Sequence, residues 1–154
     1  SINNQQIESN NIDNWNQVVS MKEGTSTTSF TFKDLVSVDY TVLANRAIPY
    51  SAMAIVEIIP KKDVEIIANN YMVVPDQLIE AKSQFRVLKD NQYMMTVFGT
   101  TAKTLFGKHT VAASTTILFD GESEALKQTG NEVGFSKKLL KGEKYRFAIA
   151  GGIC

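Results

Sequence analysis

Apolar and polar side chains alternate with period two through most of this chain, the signature of half-buried β-strands. In "SFTFK", Phe30 and Phe32 point one way while Ser29, Thr31 and Lys33 point the other. "VSVDYTVL" places Val36, Val38, Tyr40 and Val42 on one face and Ser37, Asp39 and Thr41 on the opposite one. "SAMAIVEII" is apolar on both faces apart from Glu57, as a central covered strand should be. The runs "DVEIIA", "YMVV", "SQFRVLK", "QYMMTVF", "TVAASTTILF" and "KYRFAIAG" extend the series. Turn residues separate them at Pro60–Asp63, Asn69-Asn70, Asp90-Asn91, Asp120-Gly121 and Lys141–Glu143. Two stretches read as short helices. "VPDQLIEAK" carries Pro75 and Asp76 at a first turn, and "GESEALKQTG" has acid early and Lys127 late. Many short strands with minor helical insertions predict an all-β antiparallel sandwich of eight to ten strands.

The first seventeen residues, "SINNQQIESNNIDNWNQ", hold six Asn and three Gln. So polar a segment cannot repay its ordering entropy by burial, so residues 1–24 are expected to form a polar arm and linker, with residues 25–154 as the sandwich domain. Trp15 is the arm's one large apolar anchor and a candidate contact with a neighbouring subunit. A first residue of Ser points to removal of an initiator Met or to release from a precursor.

Composition then removes several classes. Sixteen basic residues balance sixteen acidic ones, so no overall field favours nucleic acid or a membrane. Cys154 is the single cysteine, which excludes an internal disulfide framework. No apolar run approaches the roughly 18 to 20 residues of a membrane span.

The stretch "GTTAKTLFGKHT" invites a phosphate-loop reading and fails it. Gly99 and Gly107 are separated by seven residues rather than four, and Lys108 is followed by His109 instead of Ser or Thr. It reads instead as a connection between strands with Leu105 and Phe106 as an apolar tip, and these two are candidate assembly contacts. His109 is the one histidine; a zinc site needs several His or Cys, so no metal site is expected. A triad would need Ser114 or Cys154 beside His109, with Asp90 or Asp120 as orienter, and no nucleophile-elbow pattern supports it. Glu57, Glu65, Asp63 and Asp76 could be recruited as paired carboxylates, as in any sandwich of this size. Glu57 is expected to meet Arg46 or Lys61. Lys137, Lys138, Lys141, Lys144 and Arg146 form a basic stretch that could touch RNA or could be a solvated hairpin. Met94 and Met95 beside Tyr93 suit core or interface packing, not a cofactor site. No catalytic residue and no cofactor are expected, hence no enzyme.

The polar arm, the "SFTFK" strand, the long strands "SAMAIVEII" and "TVAASTTILF" and the final "YRFAIAGG" together resemble the small single-jelly-roll capsid proteins of positive-strand RNA viruses. The resemblance implies a jelly roll, self-assembly with copies of itself or other coat subunits, weak RNA contact, and a place in the virion, or in the cytoplasm if the chain is not viral. The alternative is a β-sandwich binding or adhesion module for carbohydrate or protein; a hydrolase built on His109 is a third reading.

Overall fold

The computed structural model describes residues 1–89 and 94–154, so the turn expected at Asp90-Asn91, with Tyr93, lies outside the described residues. The chain is all-β and antiparallel. Among the described residues eleven strands follow in order: β1 (Ile12–Ser20), β2 (Thr25–Phe32), β3 (Val36–Ala44), β4 (Ser51–Pro60), β5 (Val64–Tyr71), β6 (Leu78–Lys89), β7 (Met94–Thr104), β8 (Thr110–Phe119), β9 (Lys127–Thr129), β10 (Glu132–Leu139) and β11 (Tyr145–Ile153). An eight-stranded sheet runs β1-β2-β3-β4-β11-β8-β7-β6, and a three-stranded sheet, β5-β10-β9, faces it. The sandwich expected from the alternation is therefore present, built from one wide and one narrow sheet in place of the two equal sheets of a jelly roll.

Neither expected helix forms among the described residues. "VPDQLIEAK" becomes a turn closed by Leu78 N–H donating to the Pro75 carbonyl (2.9 Å), then the start of β6. "GESEALKQTG" becomes an irregular segment and β9. Both are too short to repay helix nucleation alone, and neighbouring strands offer their backbones ladder partners instead. "YMVV" supplies only the last residue of β5.

Residues 1–24 join the sheets. β1 pairs with β2 as the edge strand, interrupted by a bulge between Asp13 and Asn16 where Asn14 takes a left-handed φ of 55°. Ile2 is 2% exposed and bridges to Ile66, while Glu65 N–H donates to Asn3 Oδ1 (2.8 Å) and Ile67 N–H to the Ser1 carbonyl (2.9 Å). The N-terminus thus covers the free edge of β5.

The core lies between the narrow sheet and one end of the wide one. Phe32, Val36, Val38, Ile58, Ile117 and Phe147 from the wide sheet meet Val64, Ile66, Phe135 and Leu139 from the narrow sheet. Phe135 is at its centre, edge-to-face with Phe119 (5.0 Å between centroids) and Phe147 (5.1 Å), the geometry that aromatic quadrupoles prefer. Gly134 beside it has no room for a side chain: an added Cβ would fall onto Asn69 and lie 2.6 Å from the Ala68 carbonyl oxygen on β5.

At the mouth of the core, Lys137 pairs with Glu124 and sits 5.1 Å from the Tyr145 ring centre. The Tyr145 hydroxyl is buried without a hydrogen-bond partner among the described residues. Burial first, then the charges of Glu124 and Glu143, push its ionisation above the ordinary phenol range. The hydrogen bond to Glu124 likewise holds the Lys137 proton to higher pH than usual.

Two outcomes are expected. The unfolded chain loses these protons near pH 10 while the folded one retains them, so stability should fall as pH rises through about 10. Tyr145→Phe removes an unsatisfied buried group; it should stabilise by about 1 kcal/mol at pH 7 and soften the alkaline decline, read from urea midpoints at pH 7 and 10.5. An unchanged alkaline slope would refute that role. Gly134→Ala should lower the urea midpoint by the equivalent of about 1–3 kcal/mol, the usual cost of overpacking.

Candidate functional site

Three strands cannot cover all of eight, and one corner of the wide sheet's inner face, over β3, β4 and the end of β11, stays open, whereas Phe98, Thr100 and Ala102 on the same face of β7 are buried. Strand register orders the residues around that corner, of which Ile149 packs against the core and Thr115 Oγ1 accepts from Asn70 of the narrow sheet. Val42, Ala54 and Ile149 form one cross-strand row; Ala52, Gly151 and Thr115 form the next. With Tyr40, Tyr50, Ala113 and Ile153 they line a depression of about 590 Å³ that contains no charged side chain. Its floor is flat because its residues are small. A Cβ on Gly151 would already lie 3.2 Å from Thr115 Cγ2. Its rim is aromatic: Tyr50 is 80% exposed and Tyr40 39%. Tyr50 also takes a left-handed φ of 60°, a strained conformation for a bulky residue. It is held there by its carbonyl accepting from Ile153 N–H (3.1 Å) and by Ser51 Oγ donating to the Ile48 carbonyl (2.6 Å).

The opposite face carries polar chemistry. Ser29, Asp39, Glu57 and Arg146 are successive cross-strand partners on β2, β3, β4 and β11. With Thr27, Thr41 and Ile55 they line a groove of about 420 Å³. Asp39 and Glu57 place like charges directly opposite each other, an unfavourable arrangement on a sheet. Glu57 is paired with Lys144 (2.8 Å), not with Arg46 or Lys61 as the sequence suggested. Asp39 and Arg146 enter no ion pair among the described residues. Thr27 and Thr41 join their hydroxyls (2.9 Å), leaving one proton and several lone pairs turned to the groove.

The other sequence candidates are dispersed. The five basic residues do not make one patch. Lys137 turns toward the core mouth, Lys138 stands opposite Glu65 in the β5–β10 register, and Lys141 backbone N–H donates to Asp63 Oδ1 (2.8 Å). Lys144 and Arg146 belong to the polar groove. Leu105 and Phe106 are the exposed tip of the β7–β8 turn, 56% and 83% exposed, at the same end of the sheet as Tyr50 and Ile153. Trp15 is exposed on the edge strand β1. His109 closes the β7–β8 turn and Asp120 lies past the far end of β8, separated by a whole strand of about 35 Å, so no triad assembles on them. Asp90 lies outside the described residues. No group of three potential metal ligands occurs among the described residues. The row formed by Ser29, Asp39, Glu57 and Arg146 was not singled out from sequence. Each member sat on the polar side of a recognised strand, and only the register brings them together.

No protein-family model matches the chain. It is 30% identical over 161 aligned residues, 99% of its length, to the kojibiose hydrolase of Flavobacterium johnsoniae, and 26% identical over 91% of its length to that of Mucilaginibacter mallensis. It spans about a quarter of each of these relatives, 24% and 22%. A solved structure named as a kojibiose phosphorylase, from the human microbiome, shares the fold with a TM-score of 0.62 at 12% identity, covering 93% of this chain and 19% of that one. These findings overturn the capsid resemblance and the virion placement, since the relatives are bacterial hydrolases. They also overturn the expectation of a chain unconnected with any enzyme, because nearly its whole length aligns within enzymes. The chain is a β-sandwich similar to one portion of carbohydrate-active enzymes.

Proposed function

We propose that this chain is the β-sandwich part of an enzyme that cleaves kojibiose or a related disaccharide, and that its polar groove contacts the carbohydrate. The similarity to the Flavobacterium enzyme along 99% of the chain carries the reading. The groove supports its second half. Sugars present adjacent hydroxyls that act as donors and acceptors at once, and ionised groups make the stronger hydrogen bonds to them. Asp39 and Glu57 can accept from neighbouring hydroxyls, Arg146 donates, and Ile55 offers an aliphatic surface to the C–H side of a sugar ring. A ligand hydroxyl donating to both carboxylates would also relieve the repulsion between them.

The test begins with the complete polypeptide incubated with kojibiose, with and without inorganic phosphate. Release of free glucose in both cases is expected; no turnover under either condition would refute the reading. A sugar phosphate formed only with phosphate would instead favour phosphorolysis. Asp39→Ala and Arg146→Ala should each raise KM about tenfold, the worth of one charged hydrogen bond, with kcat held within about twofold. Equal KM for both variants and the parent would remove the groove from the proposal.

A further inference from the structure

We propose that the open corner of the eight-stranded sheet's inner face, around Tyr40, Val42, Tyr50 and Ile153, is a docking surface for the rest of a longer polypeptide, an inference that rests on the enzyme reading above. The surface is unfit for water. Val42, Tyr40, Tyr50 and Ile153 are 37%, 39%, 80% and 62% exposed around a depression of about 590 Å³, with no charged side chain in its lining. Such a contiguous uncharged apolar surface, rimmed by tyrosine, has the composition of an interface core.

Three observations choose the occupant. First, the relatives that align along nearly the whole chain devote only 24% and 22% of their length to it, so more than three quarters of each is available to cover this face. Second, the floor is built from Ala52, Ala54, Ala113 and Gly151. Small residues there admit large apolar side chains from a partner, whereas a sugar would find few fixed charges or donors to orient it. Third, Tyr50 is strained and exposed, with its carbonyl held by a backbone hydrogen bond from Ile153 of β11. Strain of this kind persists where a side chain must be presented in a fixed place. The partner surface should therefore be apolar and uncharged, seated between Tyr40 and Tyr50.

Hydroxyl-radical labelling of Tyr40 and Tyr50 compares this chain alone with the complete polypeptide. Labelling should slow at least threefold in the complete polypeptide, at any protein concentration and with or without kojibiose. Val42→Lys and Tyr50→Ala, both on exposed positions, should speed limited proteolysis between the sandwich and the remainder at least threefold. Thr101→Lys on the opposite face should leave it unchanged. Unslowed labelling in a polypeptide that still turns over kojibiose would overturn the docking inference while leaving the proposed function standing. Protection without kojibiose turnover would sustain docking and refute the function. Protection of the isolated chain that grows with its concentration would assign the face to a second copy. Protection that needs kojibiose would assign it to sugar, and either result overturns the inference.

Discussion

The mismatch between an eight-stranded sheet and its three-stranded cover governs this molecule. An apolar sheet face must be buried against something, and the narrow sheet leaves one corner of it exposed. At the covered end the packing is dense and aromatic, centred on Phe135 and its edge-to-face contacts. Gly134 lets β5 and β10 approach closely enough to hold the Phe135 ring in place. At the other end the same face continues with smaller residues, and around Tyr40, Val42, Tyr50 and Ile153 it is exposed. The core and the open depression are parts of one surface, distinguished by what lies above them.

Strand register ties the two faces together. Antiparallel pairing of β3, β4 and β11 sets Tyr145 and Phe147 on the inner side and, between them, Arg146 on the outer side beside Glu57. A slip by one residue would bury Arg146 and expose both aromatics, so the aromatic core fixes the polar groove's composition as firmly as its own. The charge opposition of Asp39 and Glu57 is therefore inherited from a register that the core cannot relinquish. Lys144 compensates one carboxylate and leaves the other for solvent or ligand.

This dependence explains what could be read from the sequence. Strands β2, β3, β4, β8 and β11 were legible because one or both of their faces are buried, which writes period two into the residues. β1 was not legible: it is an exposed edge, so burial imposed no alternation on "IDNWNQVVS". β9 was mistaken for part of a helix because its three residues are all exposed and gain their conformation only from β10. Membership of Tyr40 and Val42 in one apolar row was equally plain, whereas their lack of cover depends on the width of another sheet. The failure of "GTTAKTLFGKHT" as a phosphate loop was legible from spacing alone. The capsid resemblance rested on strand order and a polar N-terminus, features shared by many sandwiches of unrelated function.

The open face is not a defect left by incomplete packing, because the molecule guards its other sticky surfaces. Both outer strands of the wide sheet carry a bulge with a non-glycine residue forced to positive φ, Asn14 in β1 and Glu80 in β6. Bulges of this kind spoil an edge as a template for another chain. Residues 1–5 close the edge of β5 through Ile2 and the backbone bonds around it. The left-handed conformation at Glu80 carries a conformational cost, one that asparagine at position 14 bears more easily. A chain that protects its edges at that cost, yet presents Tyr40, Val42, Tyr50 and Ile153 to solvent across one face, separates unwanted strand pairing from face-to-face contact. Edge protection blocks the first and leaves the second available, which is the selectivity a domain needs when its partner must cover a face without extending a sheet.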